Sequence, residues 1–263
     1  MDKLSKLEKR LKELASEGIV LAFSGGIDST LLLYLVSKIK TEKIVALTFE
    51  NPLMKAKDIV ESSELAKEYG IKHLIISEDK IPVEIENNPV DRCYLCKRHI
   101  FTTIINESKK LGFNHIIDGT NADDIKVYRP GIKALDELGI ISPLLELGIS
   151  KVEVREFANR FNIRVSNKPS SPCMATRLPY DTNLNEDDFK KLENIENEII
   201  DLGFKNIRAR LYDNLIRLEV DSDDLNIAIE KRQSIIEIVK KNGYSYTTLD
   251  LEGFRSGSMD INL

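Results

Sequence analysis

The chain of 263 residues carries 38 Lys and Arg against 43 Asp and Glu, a net charge of −5, with 42% hydrophobic and 31% charged residues. A domain takes roughly 100–200 residues, so the length favours two domains, and the balance excludes collagen-like, low-complexity and wholly disordered classes. It also counts against a surface that tracks nucleic acid throughout, because a net acidic chain neutralises phosphate only in patches.

The opening MDKLSKLEKRLKELASEG reads as a charged amphipathic helix without the apolar core of a signal sequence. No apolar run reaches the roughly 18–20 residues of a membrane span, so a cytoplasmic location and no membrane partner are expected. Residues 19–23 (IVLAF) form a short apolar run that stops at Ser24-Gly25-Gly26, and apolar residues resume from 28 to 39 over helical length. The alternation continues with strand-like 44–49, helical 55–69, strand-like 73–77, helical 98–111 and strand-like 115–119. Strands and helices at this spacing imply right-handed crossovers and a parallel sheet covered on both faces. Ligands of such sheets bind at the carboxyl ends of the strands, where 24–29 and 118–124 fall.

Pro143 ends the alternation, and 150–162 gives a last helix with Ser150 as its cap. The Pro-rich stretch 167–183 reads as a junction. Beyond it, 185–202 reads as a helix, 207–211 and 215–220 as alternating strands, 223–242 as one long helix and 246–251 as a strand. The expected fold class is α/β, with a parallel sheet in residues 1–166 and a smaller α+β domain in 167–263.

Ser24-Gly25-Gly26-Ile27-Asp28-Ser29 sits between a buried strand and a helix N-terminus, where backbone N–H groups and the helix dipole converge on an anion. The glycines admit phosphate without a Cβ in the way, Ser24 and Ser29 add hydroxyl donors, and Asp28 is placed to hold Mg²⁺. No Lys follows with Walker A spacing. This segment resembles the PP-loop of the ATP pyrophosphatases, an adenine nucleotide alpha hydrolase-like fold whose members cleave ATP between the α and β phosphates. Asp118-Gly119-Thr120-Asn121-Ala122-Asp123-Asp124 resembles the second nucleotide-side loop of those enzymes. The resemblance implies ATP contacts from Gly119, Thr120, Asn121 and Asp124.

Cys93, Cys96 and Cys173 are too few and uneven for a disulfide framework. The Cys93-Tyr94-Leu95-Cys96 spacing lets two thiolates converge on one metal or cluster just before a helix. A structural zinc half-site with His99 as a further ligand, a redox disulfide and inert thiols all fit that spacing. Lys97, next in the chain, is a candidate for stabilising charge in an activated intermediate. Arg208 and Arg210 share one strand face and, with Arg177 near Cys173, have no evident acidic partner. Glu193 and Glu196 read as a solvated helix face.

The combination of SGGIDS, DRCYLCK, GTNADD with Tyr128-Arg129-Pro130-Gly131, Pro172-Cys173-Met174-Ala175-Thr176-Arg177 and Gly253-Phe254-Arg255-Ser256-Gly257-Ser258-Met259 resembles the LarE family of ATP-dependent sulfur transferases over nearly the whole chain. The resemblance implies adenylation of the carboxylates of pyridinium-3,5-biscarboxylic acid mononucleotide and their conversion to thiocarboxylates for the nickel-pincer nucleotide. It implies a substrate-phosphate role for Arg177, Arg208 and Arg210. Some members sacrifice the sulfur of the cysteine matching Cys173. Others are thought to hold a [4Fe-4S] cluster on three thiolates, the pattern of Cys93, Cys96 and Cys173 here, which leaves one iron for an exogenous sulfide or other sulfur donor. Family members are often hexameric, so a homo-oligomer is expected. A tRNA-thiolating PP-loop enzyme is the alternative, although this chain shows no added RNA-binding module.

Overall fold

The computed structural model describes residues 2–126, 130–168 and 172–255. Tyr128, Arg129 and residues 256–259 of the sequence motifs lie outside the described residues. The chain forms two compact units, Met1–Ile85 with Asp91–Ser171, and Glu86–Val90 with Pro172–Leu263.

The first unit runs α1 (Lys3–Glu17), β1 (Ile19–Ala22), α2 (Ile27–Ser37), β2 (Ile44–Glu50), α3 (Ala56–Glu68), β3 (Lys72–Ser77), α4 (Arg92–Lys110), β4 (His115–Ile117), α5 (Pro130–Glu137), α6 (Pro143–Glu146) and α7 (Lys151–Arg160). Its four strands are all parallel in the order β3-β2-β1-β4. Ile19, Val20 and Leu21 are fully buried because helices cover both faces of a parallel sheet, whereas edge strand β3 carries only half-buried and exposed positions. α2 is buried nearly all round, wedged among α1, α7 and β1, which explains its run of Leu31, Leu32 and Leu33.

The strand order carries the functional consequence. The chain builds outward from β1 to β3, then returns to place β4 on the other side of β1. A crevice opens at that switch point, outside the carboxyl ends of β1 and β4, and both Gly-rich loops emerge there.

Two expectations need correction. α4 begins at Arg92, so Cys93 and Cys96 lie inside its first two turns and not before the helix. The stretch expected as one helix over 223–242 is divided into α9 and α10 by Lys231, whose φ of −88° and ψ of 11° leave the helical region.

His73 on β3 reaches across the sheet to the site. The Thr48 hydroxyl donates to the Phe23 carbonyl at 2.7 Å, and with its one proton spent it accepts from His73 Nε2 at 2.7 Å. Phe23 immediately precedes the Gly-rich loop, so this relay fixes the end of β1. Burial holds the His73 imidazole below its usual value of 6.5. The folded state therefore resists a proton that the unfolded chain accepts, and the stabilisation present above about pH 6.5 is lost as pH falls through the folded value. Urea unfolding of the wild type should weaken from pH 7 to pH 5 more steeply than that of His73→Gln. Equal slopes would remove His73 from the pH response.

The second unit contains α8 (Glu186–Asp201), β5 (Ile207–Tyr212), β6 (Leu215–Val220), α9 (Leu225–Glu230), α10 (Arg232–Lys241) and β7 (Tyr246–Leu249). β5 and β6 are antiparallel, β6 and β7 parallel, and α8 packs on β5 and α10. Asn88, fully buried in the short segment 86–90, donates through Nδ2 to the carbonyls of Ala175, Leu178 and Pro179. It clamps the turn of 174–177 that follows Cys173.

Candidate active site

Gly25 has φ +68°, a left-handed conformation that disfavours any side chain, and Gly26 caps α2 without a side-chain cap. The first turn of α2 thus presents its N–H groups to the crevice. Ser24 Oγ lies 3.2 Å from Ser29 Oγ, and Ser29 and Thr30 both donate to the Gly26 carbonyl, at 3.1 and 2.8 Å. The loop is closed by its own hydroxyls, which keeps its shape before any ligand arrives. The Asp58 carbonyl and Ser62 of α3 back it, about where a Cβ on Gly25 would stand.

The second loop meets the first by direct contact. A Cβ on Gly119 would stand 2.8 Å from the Ser29 nitrogen and 3.1 Å from Asp28 Cβ, so only glycine allows the two loops to close. Asn121 donates to Asp28 Oδ1 at 3.1 Å, and its backbone N–H is held by Asp124 at 2.9 Å. Thr120 is turned inward onto Asp118, whose Oδ1 also accepts from Ser142 at 2.6 Å. Asp123 takes the Lys151 N–H at 2.7 Å, and the Lys126 ammonium followed by that N–H holds its carboxyl below the usual range.

Sequence reasoning missed Lys151. Its ammonium is ion-paired with Asp28 Oδ2, so the carboxylate expected to hold Mg²⁺ already faces a cation. The signal was available, since Lys151 opens α7 inside the Ser150–Glu153 capping box, where the helix dipole favours acidic residues. Asp28, Ser24 and Ser29 form the hard oxygen set that suits Mg²⁺.

α4 brings Lys97 to the second loop. Lys97 Nζ stands 3.9 Å from Asp118 Oδ2, and its stem, together with the Cys93 carbonyl, packs on Gly131. Cys93 lies four residues before Lys97 and Cys96 three after Cys93, spacings that share one helix side. Cys93 is exposed and Cys96 half-buried, and all three cysteines are unbridged. His99 contacts Glu78 at 2.7 Å, His115 contacts Glu17 at 3.0 Å and His73 contacts Thr48 at 2.7 Å, each through Nε2. Within neither unit do the described residues gather three or more His, Cys, Asp or Glu as a metal site.

The arginines of the second unit separate into two kinds. Arg177 forms a forked pair with Glu196, at 2.8 and 3.0 Å, and Glu196 also accepts the Ala209 N–H at 3.1 Å. Arg210 forms a forked pair with Glu219, at 2.7 and 2.9 Å, and donates to the Thr176 carbonyl. The expectation that these arginines lack acidic partners is therefore corrected for Arg177 and Arg210. That of a solvated Glu196 is corrected as well, because Glu196 is wholly buried and needs a guanidinium there. Arg208 differs. It is 5% exposed, stacked 4.5 Å over the Phe254 ring, and its Nε has no hydrogen-bond partner among the described residues. Burial, then the charges of Arg177 and Arg210, lower it to about 10. Arg177 pairs with Glu196, Arg210 and Arg217 with Glu219, and Arg217 also with Asp250, whereas no such pair is formed by Arg208 among the described residues.

Among the described residues no helix is long and apolar enough to cross a membrane. The NAD synthase family model matches residues 2–93, the span of the first Gly-rich loop and the start of α4. Over 257 residues the chain is 35% identical to an uncharacterised protein of Methanocaldococcus jannaschii, covering 97% of this chain and 98% of that one. It is 32% identical to an uncharacterised protein of a Synechocystis species over 98% of this chain and 97% of that one. It is 30% identical to the pyridinium-3,5-bisthiocarboxylic acid mononucleotide synthase of Lactiplantibacillus plantarum, over 99% of this chain and 95% of that enzyme. With the PP-loop crevice at the switch point and this similarity from end to end, the chain belongs to the LarE family of PP-loop, ATP-dependent sulfur transferases.

Proposed function

We propose that the protein adenylates a carboxylate of pyridinium-3,5-biscarboxylic acid mononucleotide and replaces AMP by sulfur, giving the thiocarboxylate used in nickel-pincer nucleotide synthesis in the cytoplasm. A carboxylate oxygen attacks the α-phosphorus of ATP, the bond to the β-phosphate breaks and pyrophosphate leaves. Hydrosulfide then adds at the acyl carbon, AMP departs with the C–O bond electrons, and a proton is released.

The N–H groups of the first turn of α2, with Ser24, Gly25, Gly26 and Ser29, take the phosphates, and Asp28 takes the accompanying Mg²⁺. Lys151, on leaving Asp28 to the metal, is set to accompany the departing pyrophosphate. Gly119, Thr120, Asn121 and Asp124 close the other wall. Lys97 lies along the same wall and stabilises the negative charge that develops as the acyl phosphate forms. Arg208 receives the substrate's phosphate, while Arg177 and Arg210 position it. The forked carboxylate partners of Arg177 and Arg210, and an Arg208 Nε without a hydrogen-bond partner among the described residues, support that division.

Cys93, Cys96 and Cys173 would hold a [4Fe-4S] cluster, which supplies an iron with no protein ligand as a carrier of sulfide. The observation that carries the reading is the meeting of α4 with the nucleotide loop through Lys97 and Asp118, one turn from Cys93. It supports delivery of sulfur beside the acyl phosphate.

Pyrophosphate release and product mass, read anaerobically with ATP, sulfide and the pyridinium mononucleotide, test the reading. Turnover stimulated by tRNA alone would replace it with tRNA thiolation. Cys93→Ala, Cys96→Ala and Cys173→Ala should each lose the brown absorbance of the reconstituted protein and sulfide-dependent turnover while keeping ATP binding. Loss confined to Cys173→Ala, with a product mass matching removal of one sulfur from the protein, would mean sacrifice of that cysteine instead.

A further inference from the structure

Gly131 is buried in the first turn of α5, and its backbone is not left-handed, so its conformation does not call for glycine. Alanine is the better helix former. What a side chain would meet there explains the choice. A Cβ on Gly131 would stand 2.9 Å from Lys97 Cδ and 3.2 Å from Lys97 Cγ, with the Cys93 carbonyl at 3.3 Å. The missing methyl is the groove in which the Lys97 stem lies.

The ammonium at the end of that stem faces a fixed charge. Lys97 Nζ stands 3.9 Å from Asp118 Oδ2 and 5.8 Å from the centre of the Phe101 ring, one turn further along α4. At 3.9 Å the ion pair is longer than a hydrogen bond, so this contact leaves the N–H donors for another acceptor. Asp118 cannot follow the lysine. It is 5% exposed, its Oδ1 accepts from the Ser142 hydroxyl at 2.6 Å and the Thr120 N–H at 3.2 Å, and its Oδ2 accepts from the Thr120 hydroxyl at 2.5 Å. A lysine has many rotamers, and a fitted groove along the stem with an anchored counter-charge at its end selects among them. Asp118 directly precedes Gly119, on which the two nucleotide loops close, so the ammonium is set beside that contact.

We infer that Gly131 and Asp118 are positioning residues that together preset the Lys97 ammonium for the charge formed as the substrate carboxylate is adenylated. The inference rests on the role given to Lys97 above, and its test separates the two. Gly131→Ala pushes the stem without touching a charge. Asp118→Asn removes the counter-charge and keeps the Oδ1 acceptor for Ser142 and Thr120. Single-turnover pyrophosphate formation from ATP and the pyridinium mononucleotide, without sulfide, reads adenylation apart from sulfur transfer. Each variant should lower the rate at saturating ATP about tenfold and leave the half-saturating ATP concentration unchanged. Neither should lower the rate further in a Lys97→Ala background. A loss that persists in that background, or variants as fast as the wild type beside a slow Lys97→Ala, overturns the positioning role. A Lys97→Ala protein as fast as the wild type overturns the role of Lys97 itself, and with it any need to position the ammonium.

Discussion

Arg177→Met is expected to destabilise the second unit strongly, whereas Arg208→Met, in the same arginine cluster, is expected to leave it standing. Arg177 is 2% exposed and answers a Glu196 that is wholly buried. Deleting the guanidinium strands a carboxylate away from water, a loss of about 3–5 kcal/mol against a typical total of about 5–15 kcal/mol. Arg208 takes part in neither forked pair, so its removal leaves Glu196 and Glu219 paired with Arg177 and Arg210. Its cost should be limited to the packing against Phe254.

Urea unfolding followed by circular dichroism separates the two, and titration with the mononucleotide gives the functional half. Arg208→Met should bind the substrate at least about tenfold more weakly, the loss of one charged hydrogen-bonding partner for phosphate. Arg177→Met with Glu196→Leu should recover much of the stability lost by Arg177→Met, because the stranded carboxylate is gone. Equal destabilisation by Arg177→Met and Arg208→Met would mean that the three arginines form one structural network with no member reserved for phosphate.

The same cluster marks where sequence reading stops. Strands β1, β2, β5 and β6 and the Gly-rich loop were legible because their signals are local: apolar runs, period two and a turn that only glycine can make. The pairing of Arg177 with Glu196 is not local. It spans 19 residues and depends on α8 packing against β5, so Glu196 reads as one more charge on an acidic helix until the fold buries it. Lys151 and Asp28 are 123 residues apart, and only the return of the chain past β4 brings them together. The misplaced start of α4 has a different cause. Residues 92–97 lack an apolar repeat, and the helix there is fixed by tertiary contacts such as Lys97 on Gly131 and Tyr94 on Glu137. Lys231, at the break between α9 and α10, is neither Gly nor Pro and gave no warning.

Gly119→Ala, the loss of no functional group at all, should be among the most damaging single changes in the chain. Gly119 does not need a left-handed backbone; it needs the absence of a side chain. The added methyl would sit 2.8 Å from the Ser29 nitrogen and 3.1 Å from Asp28 Cβ, and the nearest atom is backbone that cannot swing aside. Overpacking of this kind costs about 1–3 kcal/mol. The cheapest relief is to part the two loops, which lengthens the Asn121–Asp28 bond and pulls the second wall from the crevice. The cost then falls on the nucleotide, as a loss of about 10- to 100-fold in ATP affinity. ATP titration of Gly119→Ala alongside Gly139→Ala provides the contrast, since a Cβ on Gly139 meets nothing within 4 Å and its φ of +68° penalises alanine by backbone strain alone. Gly139→Ala should lower the unfolding midpoint and leave ATP affinity near the wild-type value. An ATP affinity for Gly119→Ala that matches the wild type would mean that the two loops can separate without consequence, and that the crevice at the switch point is not where the triphosphate is held.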